Sequence, residues 1–226
     1  MKINLRTKFL SQPRYQRYLS ATGRCTSRAK RLYKANIRLA QAFHPLLTQF
    51  EVVLRNSLNH VLADYFADDD WIINQKAGFM ADISLRQPHY YLKSCVQKTE
   101  AKLERRGMSL SSGRIISDQA FGFWVSFFLS HHYALVAGQP IHIFPYKPAR
   151  ENRASIYGKL DKIKQFRNRV SHCEPICFQG QGISCEEAVH IRATIYQLIE
   201  WMDPNLVPFF QEIDIVPAKT ARMMRI

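Results

Sequence analysis

Residues 153–172 read RASIYGKLDKIKQFRNRVSH. At about 100° of rotation per residue, Ile156, Leu160, Ile163, Phe166 and Val170 fall on one stripe. That stripe requires a helix with one face against a core, and Pro175 lies just past its end. The same period recurs through the chain. Ser11-Gln-Pro13 opens a helix closed by Gly23, and Thr26-Ser27 caps a second one. Pro45 should kink or end that second helix, with the pattern resuming from Leu46 to Phe66. Further helices are expected over Leu85–Arg106 with Pro88 in its first turn, and over Arg114–Val136. A capping box at Ser184-Cys-Glu-Glu187 starts one more, which reaches Met202. A short helix over Pro204–Ile213 and a frayed basic tail from Pro217 complete the chain. Strand alternation is not evident, so the expected fold is an all-α helical bundle with short connections, in one domain spanning 1–226.

The chain has 226 residues, enough to bury a core without disulfides or metals. Its 32 Lys and Arg against 18 Asp and Glu leave a formal charge of +14. Such an excess attracts polyanions, and nucleic acid is the commonest of these. Cys25, Cys95, Cys173, Cys177 and Cys185 are odd in number, and Met1–Leu10 is basic without an apolar h-region. Reduced thiols in a cytoplasm follow as the expectation. The most apolar run, Phe121–Leu129, is too short to span a bilayer, so no membrane role is expected. Walker, G-x-S-x-G, G-x-G-x-x-G and H-E-x-x-H motifs are absent from the sequence. Cys173, Cys177, Cys185 and His190 could hold Zn²⁺, but their spacing fits no standard finger, and packing is the commoner role of such thiols.

Two helices carry charge on the wrong face. Arg167 falls in angle between Leu160 and Ile163, and burying an unpaired guanidinium there gains nothing. Glu51 falls between Leu58 and Leu62, with Arg55 four residues on and able to pair with it. Either these faces meet, placing Glu51 and Arg55 near Arg167, or a buried ion-pair network fixes helix register without chemistry.

Arg167-Asn168-Arg169-Val170-Ser171-His172 reads R-N-x-x-x-H. The loose pattern of Arg followed by His also occurs at Arg38–His44 and at Arg55–His60; the last includes Asn56. Order separates the three. Ser11-Gln-Pro-Arg14 through Leu19 comes first, then Leu32-Tyr33-Lys-Ala-Asn36 through Phe43. Glu51-Val-Val-Leu-Arg55-Asn56, Phe121-Gly122-Phe-Trp124 and Phe166–His172 complete the series. In this order they resemble the Abi-like (abortive infection) branch of the HEPN-domain proteins, across roughly residues 11–200, leaving 214–226 as a basic tail.

The resemblance implies a HEPN-like helical bundle with added terminal helices. It implies a metal-independent endoribonuclease without cofactor, serving as a toxin or phage-defence effector. A homodimer would form a composite cleft, and an antitoxin or regulatory partner could hold it silent. His172 would exchange the proton, Arg167 would hold the phosphate and Asn168 would orient either. The product would be a 2′,3′-cyclic phosphate. Glu51, Arg55 and Asn56 would brace the site, and Lys159, Lys162, Lys164 and Arg169 would meet the RNA. The alternative keeps the fold as an RNA-binding or partner-binding module without cleavage.

Overall fold

In the computed structural model, which describes residues 10–87 and 89–226, the chain is all-α apart from one two-stranded hairpin. Pro88 and nearly all of the Met1–Leu10 segment lie outside the described residues. Helix α1 is Gln12–Ala21, with Ser11 Oγ accepting from Arg14 N and Gly23 at φ +62° past its end. Helix α2 runs unbroken from Thr26 to Phe66. Pro45 neither kinks it into two elements nor ends it. Pro45, His44 and Gln41 are exposed, so the Gln41 carbonyl that loses its partner to proline can bond water.

Next come α3 (Trp71–Asn74), two 3₁₀ turns, and α4 (Tyr91–Arg105). The expected start at Leu85 shifts to Tyr91. Asp82 Oδ1 takes both the backbone N–H and the hydroxyl of Ser84, holding Ile83–Arg86 as a separate 3₁₀ turn. The single helix expected over Arg114–Val136 is three: α5 (Ser112–Asp118), α6 (Phe121–Ser126) and α7 (Ser130–Leu135). Gln119 and Ala120 are extended between the first two, and Leu129 between the last two. Side-chain bonds compete for the backbone at these breaks: Gln119 Nε2 donates to Ile115 O, and Ser126 Oγ to Phe123 O. A 3₁₀ turn, Gln139–Ile143, follows α7.

Helix α8 is Arg153–Ser171, as its stripe dictates. Strands β1 (Phe178–Gln179) and β2 (Gly182–Ile183) pair antiparallel around Gly180, whose φ of +58° the turn needs. Helix α9 is Glu186–Met202, α10 is Val207–Ile213 and α11 is Val216–Met223. The tail is therefore not frayed. Asp214 Oδ1 accepts from Val216 N (2.9 Å) at the start of α11, and Asp214 holds Arg192 and Tyr196, while Val216, Thr220 and Met223 are buried.

Contacts group the chain into two compact units. The first takes residues 10–49, 165–197 and 205–226 of those described. In its core, Tyr18 meets the rings of Tyr33 and Phe178, both at 5.1 Å, and Phe43 meets Phe166 at 4.7 Å. The second takes residues 50–164 and 198–204. It is built on the rings of Phe123, Trp124, Phe127, Trp71 and Phe79, with Phe50 against Phe121. Among the described residues, no helix is long and apolar enough to cross a membrane.

Candidate functional site

The last turn of α8 positions the R-N-x-x-x-H segment. Ile156, Leu160, Ile163 and Phe166 are buried, and Val170 is half-buried. His172 N bonds Asn168 O (2.9 Å), Cys173 N bonds Val170 O and Glu174 N bonds Arg169 O. This pair of closing bonds is a Schellman motif, with Cys173 at φ +56° in the left-handed position that glycine usually fills. Residues 172–174 thus form a fixed turn at the helix end.

The three motif side chains do not share one direction. Asn168 and His172 are exposed and about 40° apart on the helix. Arg167 is half-buried, has an interaction partner, and lies about 140° around the axis from His172. Glu51 is likewise half-buried and partnered. Arg55 donates from Nε to Asn56 Oδ1 (3.4 Å). His60 is exposed on α2.

Most of the expected RNA-facing cations are occupied. Arg169 Nη1 reaches both Glu187 oxygens (2.5 and 2.6 Å), and its Nη2 reaches Pro175 O (2.6 Å). It is a clamp holding the helix-end turn to α9. That pairing also diverts Glu187 from the capping box, leaving Ser184 Oγ to accept from Glu186 N. Lys159 lies 3.5 Å from Glu151 and over the Trp201 ring, and Lys164 bonds Asp161 at 2.5 Å. Lys162 is exposed.

Beside the motif's end lies a cavity of about 470 Å³. Helix α2 contributes Asn36, Ile37, Ala40, Gln41 and His44; the end of α8 and its turn contribute Val170, Ser171, Cys173 and Glu174. Asn36 is buried, and its Oδ1 accepts from Ile176 N (2.9 Å), fastening the segment after α8 to α2. His44 is the residue the sequence reading passed over. Its pattern lacked an Asn, yet the fold brings this imidazole to the cavity at which the R-N-x-x-x-H helix ends. The Arg38–His44 match was the one signal available.

All five cysteines are free. Burial pushes the Cys177 thiol up to about 12 and raises that of Cys185, whose Sγ lies 3.5 Å from Met223 Sδ. Both thiols are buried in the core. Among the described residues, His, Cys, Asp and Glu nowhere gather in a group of three that could hold a metal ion.

Compared with known protein families, with curated proteins and with solved structures, the chain matches none.

Proposed function

We propose that this protein is a metal-independent endoribonuclease acting at the end of α8. The observation that carries the reading is the exposed Asn168–His172 edge at the end of α8, where the neighbouring Ser171 and Cys173 line a cavity that His44 also lines and His172 does not. Cleavage needs one group to take the proton of a ribose 2′-OH and another to give one to the leaving 5′-oxygen. His172 and His44 are of the right type for these two tasks. The 2′-oxygen attacks phosphorus, the bond from phosphorus to the 5′-oxygen breaks, and a 2′,3′-cyclic phosphate and a 5′-hydroxyl result. Asn168 orients His172 or the phosphate. Arg167, half-buried and engaged, acts as a positioning residue, its charge fixed behind the helix face. A second copy of the chain would pair two such edges, as the family resemblance implies, and a toxin or defence role would follow from cleaving cellular RNA.

A second reading has an observation of its own. Arg167 and His172 diverge around the α8 axis, which favours an RNA-binding module without cleavage.

The test compares wild type, His172→Ala and His44→Ala on total RNA with a chelator present. Cleavage by wild type to cyclic-phosphate ends, lost in both variants, is the expected result. Cleavage unchanged in His172→Ala removes the site from α8. An intact RNA pool with wild type, despite binding, selects the second reading. Light scattering of the same samples tests the homodimer.

A further inference from the structure

The cations of the first unit are not spread evenly. Residues 1–50 carry eleven Lys and Arg and no Asp or Glu, and no acidic residue follows Asp214. The fold brings part of these two acid-free segments together. Arg31, Lys34 and Arg38 from α2 and Lys219, Arg222 and Arg225 from α11 and the residues after it line one cavity of about 230 Å³. Ala35 and Ile226 complete the lining. On α2 the three cations stand at i, i+3 and i+7, one helix face, and on the tail at i, i+3 and i+6. Arg28 Nε donates to the Ile226 main-chain oxygen (3.0 Å), fastening Ile226 to α2.

The company these cations keep is unusual for this chain. Lys76, Lys102, Lys159, Lys164, Arg169 and Arg192 each face a carboxylate. Among the described residues, no carboxylate side chain is paired with any of the six cations in the cavity or lines it. Crowding six like charges works against folding, and a bound polyanion offsets it. The cavity is also built firmly. Asp214 bonds the Val216 N–H at the start of α11, and Val216, Thr220 and Met223 anchor the helix in the core, so one cation row is held against the other.

We infer that this cavity binds consecutive phosphates of an RNA strand. Guanidinium groups take phosphate oxygens in pairs and lysines act as point charges, and the cavity offers four of the first and two of the second. The inference deepens the RNA reading and rests on it for the identity of the polymer. It does not need cleavage at His172.

The experiment uses the full chain, with a fluorescent single-stranded RNA titrated across a salt series. One variant carries Arg31→Gln, Arg38→Gln, Arg222→Gln and Arg225→Gln, all exposed positions. A control removes equal charge elsewhere through Arg86→Gln, Arg105→Gln, Arg106→Gln and Arg150→Gln, also exposed. Each phosphate contact on a single strand contributes about −0.7 to the slope of log K against log salt. The cavity variant should therefore flatten the slope by about 2.8 and bind about 10²- to 10³-fold more weakly near 0.1 M salt. The control should change little, and Arg→Lys at the same four cavity positions should restore the slope. Equal losses in variant and control, or no loss in the variant, overturn the site. Competition by tripolyphosphate without any slope change for RNA assigns the cavity to small anions and overturns the RNA occupant. So does binding of the cavity to phosphatidylglycerol vesicles with RNA affinity unchanged. Circular dichroism melts identify a variant that fails to fold, for which Lys219→Gln with Arg222→Gln alone, expected to flatten the slope by about 1.4, decides the matter. Wild type that binds RNA through the cavity but leaves it intact keeps this inference while removing the nuclease reading.

Discussion

Lowering the pH from 7 to 5 will loosen the unit that holds His132. The ring is 1% exposed, inside α7, with Nδ1 2.9 Å from Ser126 O. A neutral imidazole donates Nδ1–H to that carbonyl and leaves Nε2 buried with no hydrogen-bond partner. Burial is the main cause that drives its pKa down from 6.5 to about 4, and His131, whose ring lies 4.2 Å away, pushes the same way. The folded state therefore stays neutral over the range in which the unfolded chain takes up a proton. Stability is full above about pH 6.5 and declines as pH falls towards 4. Linkage over the interval from 7 to 5 gives a loss of about 2 kcal/mol. For a protein of this size that is a drop in melting midpoint of about 4–8 °C. Trp71, Trp124 and Trp201 all belong to the second unit, as does His132, so tryptophan fluorescence reads the right transition. His132→Gln keeps a donor, removes the titration, and should melt at similar temperatures at both pH values. A wild-type midpoint that does not move, or an undiminished drop in His132→Gln, refutes the reasoning.

Three other outcomes are expected. Phe166→Ala removes a 1% exposed ring from its edge contact with Phe43 and should cost about 3–5 kcal/mol in chemical denaturation. Arg169→Ala breaks the clamp to Glu187 and Pro175; the groups are partly exposed, so stability should fall by only about 1 kcal/mol. Hydrogen exchange should nevertheless speed up at residues 172–176, and unchanged protection there would deny the clamp. Cys173→Gly relieves a left-handed residue and should raise stability by about 0.5–1 kcal/mol, read as a higher midpoint in urea; a lower midpoint would mean the Cys side chain is packed after all.

Local chemistry made much of the fold legible. Helices α1, α8 and α9 declare themselves through Ser11, the Ile156–Phe166 stripe and Ser184, because caps and period act within one turn. What escaped depends on partners far along the chain. Arg169 looked like a surface cation because Glu187 is eighteen residues away in sequence and adjacent in space. Gln119 and Ser126 break the run from Arg114 to Val136 through bonds that a 3.6-residue period does not register. A frayed tail is the natural expectation from its basic run, since the bond from Val216 N to Asp214 and the burial of Val216, Thr220 and Met223 are not visible in the sequence. At the candidate site, Asn168 and His172 were placed on one flank by angle alone, and both are exposed. Convergence of Arg167 with His172 was never in the angular arithmetic, since five residues along a helix turn one away from the other. His44 needed the tertiary fold to reach the cavity.

The position of Ile226 has a practical side. Its main-chain oxygen is held by Arg28, and its residue forms part of the wall facing six cations. A segment placed next to it emerges at that wall. An acidic epitope tag placed there would sit against the six cations as a tethered counter-ion. An assay of anion binding at this wall is therefore best run with no acidic tag beside Ile226.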